Sequence, residues 1–150
     1  MNFYKTDILF QEVPGEISLS FYITGCPLKC KGCHSPELWT EKNTPPLHLN
    51  FFINKLEQYK NLATCVLFLG GEWHPEQLVT FLTLAVEHGY KTALYTGLDE
   101  IGPNITEKLN YLKTGPWKQE LGGLNSRTTN QIFKDVKTNK ILNELFLNQP

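Results

Sequence analysis

Three of the chain's four cysteines, Cys26, Cys30 and Cys33, fall within eight residues, and this crowding constrains the chain more than any other feature. A reducing cytosol keeps thiols free, so three thiols on one short loop point to metal binding rather than to a disulfide framework. Spacers of three and two residues let one loop wrap three corners of a cubane iron–sulfur cluster, leaving the fourth iron without a protein ligand and open to a substrate. Gly25 and Gly32 permit tight turns, Pro27 stiffens the loop, and Lys29 and Lys31 bring positive charge to a thiolate-rich centre. Two other readings stand beside this one. The first is a structural zinc site using Cys26, Cys30, Cys33 and His34, in which adjacent Cys33 and His34 would struggle to fill two tetrahedral corners. The second is a set of inert core thiols.

The rest of the chain supplies a frame for such a loop. Residues 8–12 and 16–23 are apolar and β-branched around Pro14-Gly15, which predicts paired strands feeding directly into the cysteines. Leu49, Phe52, Ile53 and Leu56 recur at helical spacing over residues 49–60, and residues 65–69 form a continuous apolar strand. A second helix is expected over 75–88, opened by Pro75 and stopped by Gly89, with a strand following at 92–95. A short helix near 104–109, strands at 111–113 and 131–136, and a terminal helix over 139–147 complete the reading. Alternating strands and helices predict parallel βαβ units. A complete eight-unit barrel needs roughly 250 residues, so a 150-residue chain is expected to form one α/β domain over residues 1–150, an incomplete (β/α) barrel with a mostly parallel sheet.

Thr24-Gly25-Cys26, Gly70-Gly71-Glu72, Thr96-Gly97 and Lys113-Thr114-Gly115 each sit just after an expected strand. Parallel α/β sheets bind ligands at that edge. Two glycines expose backbone there, and Glu72 can accept hydrogen bonds from a ligand ammonium group. A net charge of −1 gives no basic field to attract nucleic acid, and no apolar run approaches a membrane span, so neither partner is expected. The start lacks an export signal, which leads to a cytoplasmic expectation.

The run from Cys26 to His34 resembles the CxxxCxxC signature of radical S-adenosylmethionine enzymes, and Gly70-Gly71-Glu72 resembles their GGE segment. At finer grain, Cys33-His34-Ser35, Glu72-Trp73, Tyr95-Thr96-Gly97, Lys113-Thr114-Gly115-Pro116-Trp117 and residues 122–131 resemble the activating proteins of anaerobic (class III) ribonucleoside-triphosphate reductase. The resemblance implies a 4Fe-4S cluster on Cys26, Cys30 and Cys33, whose open iron chelates S-adenosylmethionine and cleaves it to methionine and a 5′-deoxyadenosyl radical. That radical would take a hydrogen from a backbone glycine of the reductase, the protein partner. A one-electron donor such as a flavodoxin or ferredoxin is also implied. Gly70, Gly71 and Glu72 would hold the methionine moiety, and Thr96 with Gly97 the ribose or carboxylate.

This sequence departs from the family pattern at two places. Gly32 stands where many members carry an aromatic residue that contacts adenine, which passes that role to His34 or Trp39. Asn110 stands where the family segment often has aspartate, leaving the partner of Lys113 open. Trp39, Trp73 and Trp117 are expected near the ligand side, where they cover the cluster, dock a partner or simply pack. His74 and His88 read as solvated or capping residues, Cys65 as a small core residue, and residues 122–126 as a flexible loop or an edge of the reductase-binding surface. The alternatives are another short radical enzyme, of the pyruvate formate-lyase activase or deazaguanine synthase type, and a zinc-stabilised interaction module.

Overall fold

The computed structural model describes residues 1–147. Its frame is one seven-stranded sheet in the order β1-β2-β3-β4-β5-β6-β7. The strands are β1 (Phe3–Leu9), β2 (Ser18–Ile23), β3 (Cys65–Leu69), β4 (Lys91–Tyr95), β5 (Tyr111–Thr114), β6 (Ile132–Asp135) and β7 (Lys140–Ile141). The four central strands β2 to β5 run parallel, whereas β1, β6 and β7 join antiparallel at the edges. The sheet is therefore mixed, with half of its pairings parallel, where the sequence suggested a mostly parallel one.

Helix α1 (Leu49–Gln58) connects β2 to β3, α2 (Pro75–Glu87) connects β3 to β4, and the single turn α3 (Pro103–Thr106) lies between β4 and β5. The side chains of a strand alternate between faces, and the buried apolar residues divide accordingly. Phe21, Val66, Phe68 and Leu94 face one core with Phe52 and Leu56 of α1 and Leu78, Phe81 and Leu82 of α2. Cys65, Leu67 and Ala93 face a second core, closed by Val13, Leu124, Phe133 and Phe146. The C-terminal part thus covers the sheet face opposite the helices.

Two expected elements differ at their ends. β1 begins at Phe3 and stops at Leu9, so the strand expected over 8–12 lies mostly earlier in the chain. In place of a helix over 139–147, Asn139 takes a left-handed turn (φ 59°), Lys140–Ile141 pairs with β6, and only α4 (Glu144–Leu147) is helical. Among the described residues no helix is long and apolar enough to cross a membrane.

Candidate functional site at the carboxyl ends of the parallel strands

Register makes the site. Tyr22, Leu69, Tyr95 and Lys113 occupy one row across β2 to β5, so these strands end in step and their following loops converge. The cysteine loop leaves β2 here and is pinned early: the Leu38 carbonyl accepts from the backbone N–H groups of both Gly25 (2.8 Å) and Cys26 (2.9 Å). Leu38 belongs to a 3-10 turn, Pro36–Trp39, that the sequence reading did not anticipate. Gly25 and Gly32 both adopt positive φ, and so does Lys29 between the first two cysteines. The Gly25 φ of 90° is a left-handed backbone that residues with a side chain rarely adopt, and a Cβ there would also lie 2.9 Å from Glu41 Oε1.

A cavity of about 210 Å³ opens beneath the loop, and its wall includes Cys26, Cys33, Gly70, Glu72, Thr96 and Lys113. Residues from four separate strand ends meet there. A larger chamber of about 490 Å³ adjoins it and shares Cys33, Ser35, Tyr95 and Lys113 as a common wall. Cys30 is half-buried on the same loop, and its backbone carbonyl accepts from Cys33 N–H at 3.1 Å.

Glu72 is the best-positioned polar group. Its Oε1 accepts from the Thr96 hydroxyl at 2.6 Å, while Oε2 is buried without a hydrogen-bond partner. Burial pushes its carboxyl above the ordinary carboxylate range, against the opposing pull of Thr96, its own backbone N–H and Lys113. Lys113 is buried and donates to the carbonyls of Gly115 (2.9 Å) and Thr96 (3.3 Å). Desolvation brings its ammonium down to about 8, although Cys30, Glu72 and Cys33 all favour its charged form. Asn110 is not beside it: the Asn110 side chain accepts from Thr92 N–H (3.0 Å) at the other end of the sheet and is a structural residue.

The remaining candidates separate. Gly71 faces the core, where a Cβ would meet Met1, Ile23 and Leu78, so it contributes spacing rather than a cavity wall. His34 leaves the smaller cavity for the larger chamber, its ring 4.4 Å from that of Trp117. Gly97 stays on the wall of the smaller cavity, and a Cβ there would sit 2.4 Å from Leu28 Cδ1, so the glycine also seats a side chain of the cysteine loop. Trp73 rests on Gly70 and donates to the Thr24 carbonyl at 3.2 Å. Trp39 lines the smaller cavity and Trp117 the larger. His74 bonds Glu41 at 3.2 Å, and His88 caps α2 through the Leu84 carbonyl at 2.7 Å. Residues 122–126 are not a loose loop: Thr128 and Thr129 hydroxyls donate to the Leu121 and Gly122 carbonyls, and Leu124 is buried in the second core.

Among the described residues no group of three or more His, Cys, Asp or Glu side chains is already gathered around a metal position. The chemistry of the donors nonetheless fits an iron–sulfur group. Cys26 Sγ accepts from the backbone N–H groups of Leu28 and Lys29, which oppose the upward push of burial on its thiol. Cys33 Sγ accepts from Ser35 N–H at 3.4 Å. Such N–H···S bonds stabilise thiolate ligands. The unpaired Glu72 oxygen complements them by calling for a cationic or N–H-bearing ligand on the same cavity.

The chain belongs to the 4Fe-4S single cluster domain family, whose pattern matches residues 13–100 and so takes in all three loop cysteines, Glu72 and Thr96. It is also 34% identical over 89 residues to the pyruvate formate-lyase-activating enzyme of Clostridium pasteurianum, in an alignment covering 55% of this chain and 37% of that enzyme. The chain therefore spans little more than a third of that relative's length. No solved structure matches it.

Proposed function

We propose that this chain is a radical S-adenosylmethionine activase that installs a glycyl radical on anaerobic ribonucleoside-triphosphate reductase. The observation that carries the reading is the meeting of Cys26, Cys33 and the unpaired Glu72 oxygen on one cavity wall at the carboxyl ends of parallel strands. Cys26, Cys30 and Cys33 would hold a 4Fe-4S cluster, and the chemistry gained on its binding is one-electron cleavage of the S-adenosylmethionine sulfonium.

The side chains then divide the work by charge. Glu72, held by the Thr96 hydroxyl, accepts hydrogen bonds from the ligand ammonium. Lys113, anchored to two backbone carbonyls, offers a buried cation to the ligand carboxylate. Leu28 over Gly97 and Trp73 over Gly70 pack apolar surface around this polar pair and limit water there. On this reading β2 to β5 are the strands of a short, incomplete (β/α) barrel. A flavodoxin or ferredoxin in the same cytoplasm would deliver the electron.

What supports the specific target is the resemblance of the motifs to those of the reductase activases, which continues through Trp117 and residues 122–131. The similarity to a pyruvate formate-lyase-activating enzyme favours a second reading, in which the protein substrate is a formate-lyase. Anaerobic reconstitution with iron and sulfide, reduction and addition of S-adenosylmethionine tests the class: methionine and 5′-deoxyadenosine are expected, and their absence from a reduced, iron-loaded sample refutes it. Electron paramagnetic resonance after mixing with each candidate partner separates the targets. A glycyl doublet on the reductase supports the first reading, and one on the formate-lyase alone supports the second. Stoichiometric zinc without iron in anaerobically purified protein would instead favour the interaction module.

A further inference from the structure

Buried side-chain nitrogen and oxygen atoms without a hydrogen-bond partner are uncommon in folded proteins, and each calls for an explanation. Among the described residues there are five: Ser18 Oγ, Trp39 Nε1, Glu72 Oε2, Trp117 Nε1 and Asn130 Oδ1. Three of these belong to residues lining the two cavities that share Cys33. Their polarity is opposed. Glu72 presents an acceptor, whereas the two indoles present N–H groups that can only donate. A ligand ammonium satisfies Glu72, but it can do nothing for Trp39 or Trp117, which call for an acceptor at the cysteine loop.

Trp117 lies where such an acceptor would be. A Cβ on Gly32, beside Cys33, would sit 3.4 Å from Trp117 Nε1 and 3.3 Å from Gln119 Oε1, an oxygen to which the indole makes no hydrogen bond. The His34 ring packs against the same indole, 4.4 Å away between centroids. Trp39, at the end of the 3-10 turn, lines the smaller cavity with Cys26 and Cys33. Trp73 differs from both, because its indole N–H is already engaged by the Thr24 carbonyl at 3.2 Å.

We propose that the indole N–H groups of Trp39 and Trp117 donate hydrogen bonds to the sulfurs of the group held by Cys26, Cys30 and Cys33, and so act as positioning residues that raise its reduction potential. The proposal rests on the cluster assignment of the preceding subsection. Reduction adds negative charge to the sulfurs, so a donor favours the reduced form, and removing the donor lowers the potential.

The test is an anaerobic redox titration, followed by electron paramagnetic resonance and run without S-adenosylmethionine, of the reconstituted parent and the variants Trp39→Phe, Trp117→Phe and the double variant. Each single change is expected to weaken reduction on the order of tenfold, about 59 mV for one electron, with a larger shift in the double variant. Tyr90→Phe, which removes a donor bonded to the Leu56 carbonyl in the helical core, serves as the control and is expected to leave the potential in place. Where a phenylalanine variant fails to load iron, 3-benzothienylalanine at the same position keeps both rings and lacks the N–H, and a lowered potential in that protein supports the proposal. Unchanged potentials in iron-loaded Trp39 and Trp117 variants overturn it and leave the activase reading standing. An equal shift in Tyr90→Phe also overturns it. A parent that takes up no iron refutes the cluster assignment itself, and iron analysis distinguishes that result from the others.

Discussion

Replacing Glu72 by glutamine changes charge and one hydrogen-bonding atom while keeping the shape of the side chain. In the parent, Oε1 is committed to the Thr96 hydroxyl at 2.6 Å, which leaves the buried Oε2 for a ligand. Glutamine can keep the Thr96 contact through its carbonyl, but its amide nitrogen then occupies the second position and meets the ligand ammonium donor to donor. The loss is one charge-assisted hydrogen bond, about 1.5–3 kcal/mol, with no carboxylate remaining to compensate. That corresponds to roughly ten- to 150-fold weaker binding of S-adenosylmethionine. Calorimetric titration of S-adenosylmethionine into anaerobically reconstituted Glu72→Gln protein measures it, with iron content checked against the parent so that any loss is assigned to the ligand. Thr96→Val removes the hydroxyl that orients the carboxylate and is expected to weaken binding by a smaller step, about fivefold, for a loss of about 1 kcal/mol. Binding within twofold of the parent in an iron-loaded Glu72→Gln protein would show that the unpaired oxygen does not face the ligand.

Other outcomes follow from the same geometry. Cys30→Ala is expected to abolish stable iron uptake, whereas Cys65→Ala, fully buried in the second core, should keep iron and lose about 1 kcal/mol of stability; equal loss of iron in both would refute the ligand assignment. In metal-free protein, mass spectrometry after brief iodoacetamide treatment at pH 8 should find the loop cysteines alkylated and Cys65 untouched, because burial pushes the Cys65 thiol up to about 12. Burial raises the Glu16 carboxyl, but hydrogen bonds from Lys91 and Thr64, the Lys91 charge and Tyr111 bring it below its ordinary 4.5, so this contribution to stability is complete above pH 4.5 and is lost as pH falls through the lowered value. Lys91→Met, which strips that carboxylate of a 2.6 Å partner, should cost about 1 kcal/mol at pH 7 by urea denaturation, a low figure because water screens the half-exposed lysine, and the difference from the parent should close in acid. Phe146→Ala empties a buried place beside Phe133 and should cost about 3 kcal/mol, measurable as a lower unfolding midpoint.

The cysteine loop, the strand-end motifs and the four parallel strands were legible because each is a local signal: close thiol spacing, glycine next to a polar residue, or an unbroken apolar run. The apolar pattern places β1 too late because Lys5 and Asp7 lie on its solvent side, where edge strands carry charge and the apolar alternation fades. Ile141, Leu142, Leu145 and Phe146 have a spacing that suits a helix over 139–147 as well as it suits a strand, a turn and a final helical turn. Asn139, tolerant of left-handed backbone, was the available sign of the turn. Trp117 could be expected on the ligand side but not against Gly32, because that contact joins segments 85 residues apart and depends on how β5 aligns with β2 through the two strands between them. The packing of Leu28 over Gly97 is hidden from the sequence for the same reason, although the glycine also lines the smaller cavity, as its place after β4 suggests.

The mixed sheet explains how the site gains an enclosed inner side. In a parallel sheet carrying helices on one face alone, the other face would expose Leu67, Ala93 and Tyr95 to water, at roughly 25 cal/mol for each Å² of apolar surface. Here the antiparallel tail turns back across that face. Phe133 stacks on Tyr111 (5.8 Å) and packs edge-on against Tyr95 (6.2 Å) and Phe146 (5.1 Å). Tyr95 belongs to both systems, because its ring packs on Phe133, its hydroxyl donates to the Glu12 carbonyl, and it lines both cavities. The tail that stabilises the inner face therefore also fixes a wall of the site, and Trp117 enters the chamber from the segment that leads from β5 into that tail. A change that loosens Phe133 or Phe146 should thus reach both cavities through Tyr95, whereas a change of equal cost in the helical core reaches the smaller cavity alone, through Ile23 and Trp73.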